Sequence, residues 1–257
     1  MIAVSIVSHG HGEMVRRLVK QVLACSEVGQ VIVTYNVPES YPPFSDSRVV
    51  VINNNLPTGF GANHNAAFLC SQESFWCVLN PDIELEGNPF PALLEKLRTD
   101  SVGLVAPLII NPEGKAEDSI RHFPTLASLV LKLLGRDNSR YEVISGSPGF
   151  YPDWVAGMFH LYRSEVFAEL NGFDESFFLY YEDVDICARL WEKGMKILAC
   201  PSVSIVHDAR RDSHRSAKHL RFHFASMARY FLKRWGRIYN VDAKAFGQIA
   251  KLRNKVK

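Results

Sequence analysis

Short unbroken apolar runs alternate along this chain with longer stretches in which apolar residues return at helical spacing. Residues 2–7, 31–35, 48–52, 75–79 and 102–110 are runs of the first kind, rich in Val and Ile, and they read as strands covered on both faces. Between the first two, Val15, Leu18, Val19, Val22 and Leu23 give residues 13–25 one apolar face. Residues 61–70 and 89–99, the latter opened by Asn88 as cap, are candidate helices as well. Strand and helix in alternation predict an α/β fold: a single Rossmann-like domain with a mostly parallel central sheet flanked by helices. In such sheets ligands sit beyond the C-terminal strand ends, which singles out the loops 8–12, 35–37, 53–65 and 80–84.

The pattern weakens over residues 111–149, apart from a helical 126–134, and this part reads as a variable insertion or lid. A short helix capped by Ser164 follows, then a helix from Glu182 on which Val184, Cys187, Ala188, Trp191 and Met195 share a stripe, then a strand 196–206 ending at His207. From Ser213 onward Leu220, Phe224, Met227 and Phe231 recur at helical spacing among Arg215, Lys218, Arg221, Arg229, Lys233 and Arg234. Such a basic amphipathic helix either lies on a membrane surface or packs on the body with a solvated basic face.

Charge sharpens that division. Residues 207–257 hold fourteen Lys/Arg against three Asp/Glu, a surplus of eleven, while residues 1–206 hold fifteen against twenty-four, a deficit of nine; the sum is the net +2. An acidic body therefore carries a basic tail suited to an anionic membrane surface or a phosphorylated acceptor. Nucleic acid is not an expected partner, because no stacking platform or recognition motif accompanies the charge. The five cysteines are scattered without CxxC spacing and read as reduced core thiols of a cytoplasmic protein. No apolar run approaches the roughly 20 residues of a membrane span, and no export signal is visible at the start.

Several loops carry candidate chemistry. His9 and His11 form an HxH pair, which alone is weak evidence for metal. In the stretch 53–65 Gly59 and Gly61 permit close backbone approach, and its asparagines can read ligand edges; an ordinary Asn/Gly loop fits equally. Asp82 stands just past a strand end, two residues after Asn80, where a carboxylate can ligate Mg²⁺ or Mn²⁺; Pro81-Asp82 is also a plain turn signal. The densest stretch is 172–194, where Asp174, Glu175, Glu182, Asp183 and Asp185 sit among Phe173, Phe177, Phe178, Tyr180 and Tyr181. Asp183 projects beside the apolar stripe in the first turn of its helix, where a carboxylate can be partly desolvated yet ionised, as a general base must be. The competing reading is that Asp183 or Glu182 only caps the helix.

With NPD after a central strand, WVAG before a helix, GFDExFFxYxEDVDxCxR and a later His, the sequence resembles family 2 glycosyltransferases of the GT-A fold, in particular bacterial rhamnosyltransferase-type enzymes that build surface polysaccharides. The resemblance spans residues 2–207 and implies a GT-A domain over 1–207, with a nucleotide-binding half at 1–110, an acceptor and catalytic half at 150–207, and a basic helical extension at 208–257. It implies inverting transfer from a nucleotide diphosphate sugar, dTDP-rhamnose first and a UDP-sugar second, to a lipid-linked or glycan acceptor at the inner face of the cytoplasmic membrane. By position it makes Asp183 the base, and Asp82 and His207 the ligands of a divalent metal. Ser8, Asn36, Gly59, Gly61, Asn65 and Asn80 would join Asp82 around the nucleotide, and Trp154, Gly157, Glu182, Asp185 and Arg189 would border the donor sugar and acceptor. Two departures stand out: Tyr35 where relatives carry Asp for the nucleobase, and Asn80 where many carry a first Asp. A nucleotidyltransferase would need a long glycine-rich basic loop after the first strand, which SHGHGEM does not supply; a non-catalytic nucleotide- or glycan-binding protein is the remaining rival.

Overall fold

The structure, a computed structural model, describes residues 1–136, 139–208 and 217–236. Its first half runs β1 (Ile2–Ser8), α1 (Glu13–Leu23), β2 (Val28–Tyr35), β3 (Val49–Asn53), α2 (Phe60–Leu69), β4 (Phe75–Leu79), β5 (Ile83–Glu84), α3 (Phe90–Leu97) and β6 (Val102–Ile110). The second half adds β7 (Ile120–Arg121), α4 (Leu126–Leu133), β8 (Trp154–Val155), β9 (Phe159–Arg163), α5 (Ser164–Glu169), α6 (Glu182–Glu192), β10 (Lys196–His207) and α7 (Ala217–Gly236).

One eight-stranded sheet, in the order β3-β2-β1-β4-β9-β6-β10-β5, forms the middle layer. β1 pairs in parallel with β2 and β4, β2 with β3, and β6 with β10, as the alternating pattern predicts. β9 and the edge strand β5 run the other way. The two faces account for the unbroken apolar runs: Ile2, Val4 and Ile6 of β1 meet Val15, Leu18, Val19 and Val22 of α1 and Phe90, Leu93 and Leu97 of α3. The opposite face takes Ala67 and Phe68 of α2, Val166 and Phe167 of α5, and Ile186, Cys187 and Leu190 of α6. Each fully buried Leu, Ile, Val or Phe side chain contributes about 1.5–3 kcal/mol of hydrophobic stabilisation, so both layers are held firmly to the sheet. Cys25, Cys77, Cys187 and Cys200 are buried free thiols and Cys70 is exposed.

The weakly patterned residues 111–149 are tied to the body, since β7 pairs with β8 and Ala116 bridges to Ile110. The C-terminal helix packs on the body, one of the two arrangements its sequence allows: Tyr230, Met227 and Phe231 of α7 join Phe177, Tyr181 and Val184 in a third apolar cluster. Residues 209–216 and 237–257 of the predicted basic extension lie outside the described residues. No helix among the described residues is long and apolar enough to cross a membrane. Ser164 does not cap α5 with its side chain; its hydroxyl donates to the Glu73 carbonyl instead.

Candidate active site

Parallel strands β1, β2, β3 and β4 end at one edge of the sheet, so Ser8, Asn36, Asn53 and Asn80 emerge side by side. At this edge the sequence signals divide into groups that hold the loops together and groups left over for chemistry. Asn36 belongs to the first kind: its Oδ1 accepts from Asn54 Nδ2 and the Thr58 N–H, and its Nδ2 donates to the Thr58 carbonyl. Asn63 accepts from Asn54 and Thr58 in the same network. Ser8 is fully buried, and its Oγ accepts from the His11 N–H. The predicted HxH pair is occupied locally, with His11 Nδ1 accepting from the His9 N–H, while the Gly10 and Gly12 N–H groups donate to the Glu39 carboxylate.

Gly59, Gly61 and Asn65, expected around the nucleotide, are buried, and on their side-chain side they meet protein. A methyl at Gly59 would come within 2.8 Å of the Phe178 carbonyl oxygen and 3.0 Å of its Cα; at Gly61 it would lie 2.6 Å from Phe173 Cβ. Asn65 donates to the Phe173 carbonyl at 2.8 Å and accepts from the Phe173 N–H at 2.9 Å. The small residues let α2 lie directly against the acidic aromatic segment. Gly59→Ala is therefore expected to cost about 1–3 kcal/mol through overpacking, since the Gly59 φ of −68° is open to alanine and only the backbone contact opposes it. A melting temperature within error of wild type would show that the Phe178 segment yields freely.

That segment delivers the acids. Tyr180 and Tyr181 adopt φ values of 69° and 67°, left-handed backbone that costs a non-glycine residue about 1–3 kcal/mol unless its surroundings enforce it. The enforcing comes from α7: Ser226 Oγ donates to the Leu179 carbonyl, Tyr180 Oη lies 3.0 Å from His219 Nδ1, the Phe178 ring stacks on Phe222, and Tyr181 packs on Tyr230 and His223. The chain then enters α6 with Tyr181 at the N-cap and no side-chain cap. Neither Glu182 nor Asp183 is the N-cap residue, and of the two Asp183 serves one free first-turn N–H, that of Val184.

Asp183 reaches outward, its Oδ2 accepting the Gly157 N–H at 3.1 Å while Oδ1 accepts the Val184 N–H at 2.8 Å. Glu182 is buried, with Oε2 lacking a hydrogen-bond partner. Burial raises both carboxyls above their ordinary range, Glu182 by far the more, with Asp183's charge adding to the effect. Backbone N–H groups of Gly157, Val184 and Asp183 itself oppose the shift of Asp183, so Glu182 is the harder of the two to ionise. A half-buried carboxylate with a raised pKa can accept a proton from a hydroxyl in the cleft.

Asp185 and Arg189, expected at the donor sugar, point into the interior. Arg189 Nε donates to Asp185 Oδ2 at 2.7 Å, and its two terminal nitrogens donate to the Leu170 and Gly172 carbonyls at 2.5 and 2.9 Å. Lys233 of α7 closes the network at 2.6 Å from Asp185 Oδ1 and 2.7 Å from Asp174 Oδ2. Trp154 is half-buried at the cleft side of α6; its Nε1 donates to the His122 carbonyl, and the Arg121 guanidinium lies 5.7 Å from its ring centre. Arg121 also offsets the charge of Asp183.

Asp82 and His207 meet because β5 pairs with the end of β10, setting His207 opposite Ile83. His207 Nε2 lies 3.1 Å from Asp82 Oδ2 and Nδ1 lies 2.7 Å from Glu117 Oε2. Burial works against a charged ring here, but the hydrogen bonds and charges of Asp82 and Glu117 outweigh it and bring the imidazole up to about 9. Asp82 Oδ1 remains buried without a hydrogen-bond partner, an oxygen donor suited to a hard cation. Among the described residues no three His, Cys, Asp or Glu groups enclose a metal position, so a cation at Asp82 would draw most of its ligands from a substrate and water. Asn80 and Gly157 link the two centres, since the Asn80 N–H donates to the carbonyl of Met158, next to the Gly157 that holds Asp183.

Glu117, Arg121 and Lys233 were not singled out as site residues. Glu117 and Arg121 stand in the weakly patterned 111–149, and no local signal marks them. Lys233 had one: it shares a helix face with Ser226 and Tyr230, seven and three residues earlier.

Comparison with known proteins follows the same lines. Residues 145–215, which contain both α6 and His207, match the family model described as the N-terminal domain of galactosyltransferase. The chain is 26% identical to the rhamnosyltransferase WbbL of Escherichia coli K12 over 253 residues, covering 91% of this chain and 94% of that protein. It is 32% identical over 159 residues to an N-acetylglucosaminyl-diphospho-decaprenol L-rhamnosyltransferase of Mycobacterium tuberculosis, of which it spans about half (52%). Among solved structures it superposes on GalNAc-T7 with UDP, GalNAc and Mn²⁺ with a TM-score of 0.61 at 16% identity, covering 82% of this chain and 44% of that one. The mannosyltransferase PcManGT of Pyrobaculum calidifontis, with GDP-Man and Mn²⁺, gives 0.60 at 15% identity, covering 89% and 64%. The fold is that of the GT-A glycosyltransferases.

Proposed function

We propose that this chain, rhamnosyltransferase-like in sequence and GT-A in fold, is an inverting glycosyltransferase of cell-surface glycan synthesis that moves a sugar from a nucleotide diphosphate to an acceptor hydroxyl. The observation that carries the reading is Asp183: a carboxylate with a raised pKa, fixed by the Gly157 N–H at the mouth of the cleft, with Asp82 tied in through the same turn. In this reading residues 1–110 hold the nucleotide, and residues 150–207 together with α7 hold the acceptor and the base.

Transfer forms a bond from the acceptor oxygen to the anomeric carbon as the bond to the diphosphate breaks. Asp183 takes the hydroxyl proton on a carboxylate oxygen, while neutral Glu182 behind it avoids a second buried charge. The Asp183 carboxylate attacks no carbon itself, so the product has inverted configuration. Asp82 would hold Mg²⁺ or Mn²⁺, which when bound offsets the charge of the departing diphosphate. His207, which the resemblance makes a metal ligand, has both ring nitrogens on the Asp82 and Glu117 carboxylates, so in this reading it fixes the Asp82 carboxylate and places positive charge on the same side. Trp154 forms the apolar wall for the sugar or acceptor. By resemblance the donor is dTDP-rhamnose, with a UDP-sugar the second choice, and the acceptor is lipid-linked or a growing glycan at the inner face of the cytoplasmic membrane.

Donor binding is tested by thermal stabilisation with dTDP, UDP and GDP, with Mn²⁺ and with chelator. A nucleotide at 100 times its dissociation constant adds about 2.7 kcal/mol, or roughly 5–10 °C for a chain of this size. The expected result is a Mn²⁺-dependent shift with dTDP that Asp82→Ala removes. A larger shift with UDP reassigns the donor; no shift with any nucleotide contradicts the donor site.

A further inference from the structure

Helix α7 has two apolar faces, and the body uses only one. Phe222, Ser226, Met227, Tyr230, Phe231 and Lys233 turn inward onto the Phe177–Val184 cluster and its charge network. Leu220 and Phe224, which spacing alone groups with Met227 and Phe231, face outward with Leu232, and all three are more than half exposed. Arg221 and Arg229 are exposed beside them. Helix α4 continues this surface with exposed Lys132 and, around it, Val130 and Leu134, again more than half exposed. The two helices are neighbours: Phe123, just ahead of the α4 cap Thr125, packs against the same apolar cluster as Met227 and Phe231, and the Arg234 guanidinium of α7 lies 5.8 Å from its ring centre. Besides burial, the Lys132 charge lowers the pKa of His223, whose ring touches Phe224. Neither helix holds an acid, and the sequence has no Asp or Glu at 119–136 or at 213–241.

We infer that the outer face of α7, continued by α4, is a docking surface for an anionic lipid bilayer. Exposed aliphatic and aromatic side chains at every fourth position, flanked by Arg and Lys with no acid among them, match an interface that takes apolar groups below its headgroups and cations among its phosphates. A second copy of the chain meets the same face less well, because a two-fold contact sets Arg221 and Arg229 against like charge without a carboxylate to pair them. A nucleic acid would pair the arginines but leave Leu220 and Leu232 in water. The consequence for transfer rests on the proposed function: α7's inner face holds Tyr180 and Tyr181 ahead of Asp183, so docking sets the cleft beside the membrane from which a lipid-linked hydroxyl projects. Bilayer binding itself does not depend on that reading.

Flotation of the full chain with phosphatidylcholine vesicles, alone or with about 30% phosphatidylglycerol, tests the surface. Wild type is expected to float with the anionic vesicles and to be partly released by about 0.5 M salt. The pairs Phe224→Ser/Leu232→Ser and Arg221→Glu/Arg229→Glu should each lower partitioning by about tenfold or more, with melting temperature and nucleotide shift at wild-type values. Wild-type partitioning in both pairs overturns the inference, as does failure of wild type to float. Light scattering that shows a dimer, converted to monomer by the serine pair, overturns it in favour of a second copy. Nucleotide stabilisation, measured on the same samples, reports separately on the donor site.

Discussion

Asp183→Asn is expected to slow sugar transfer by about 10²–10⁴-fold while leaving nucleotide stabilisation at the wild-type level, because the amide keeps the volume and one acceptor oxygen for Gly157 but cannot take a proton. Stability should not fall with activity. Burial raises the folded-state pKa of Asp183 above 3.8 and that of Glu182 well above 4.5. Folded protein then binds these protons more tightly than unfolded chain, so the pair favours folding below the ordinary carboxylate range and loses that contribution as pH rises through the raised values. Removing a buried charge offsets the loss of one of the two backbone N–H contacts, so the asparagine variant should melt close to the wild-type temperature. The same shift sets the pH profile: transfer by wild type should rise with pH through a pKa above the usual Asp value. Equal rates in Asp183→Asn and wild type would take Asp183 out of the proton transfer.

The second large effect lies at the far side of α6. Lys233→Met should destabilise the fold by about 3–5 kcal/mol, the usual cost of leaving a buried charge without its partner, which lowers the melting temperature by roughly 10 °C. Both carboxylates that Lys233 touches are inside the protein, Asp185 with 2% and Asp174 with 12% of the side chain exposed. Burial opposes ionisation of Asp174, but the Lys233 hydrogen bond wins and holds it below its usual range. That contribution is present above pH 3.8 and is lost as pH falls through the depressed value, so the wild-type advantage over Lys233→Met should shrink on acidification. Adding Asp174→Asn to Lys233→Met should recover part of the loss, since one stranded charge is gone. Activity should fall with stability in the single variant, because α7 holds the two left-handed tyrosines that precede Asp183. A change of melting temperature below about 1 °C would mean that the network is solvated and that α7 is not part of the body.

Much of the fold was legible because both sheet faces are covered, which turns strands into unbroken apolar runs. The parallel strand ends locate the loops around Ser8, Asn36 and Asn80 from the apolar pattern itself. The place of Asp183 in the first turn, on neither the apolar stripe nor the wet face, is legible from helix geometry alone. Three things were not. Gly59 and Gly61 look alike whether a ligand or Phe178 and Phe173 approach them, and only the fold says which. Asp185 and Arg189 look like site residues because a buried ion pair and a catalytic one use the same side chains at i and i+4 spacing. The orientation of α7 is not legible because the helix is apolar on both faces, and spacing cannot tell an inward Met227 from an outward Phe224. Glu117 and Arg121 lie in a segment without periodicity, and tertiary contacts place them: Arg121 opposite Trp154 in the β7–β8 pair, Glu117 on His207.

The central claim is tested most directly by incubating the purified chain with dTDP-rhamnose, Mn²⁺ and a lipid-linked saccharide extract, and following both dTDP release and the anomeric configuration of the product. The account predicts acceptor-dependent release, a glycosylated lipid whose new linkage is inverted relative to the donor, and loss of both signals in Asp183→Asn. A product of retained configuration would contradict the direct displacement, and failure of transfer across a panel of dTDP-, UDP- and GDP-sugars would contradict the enzyme itself.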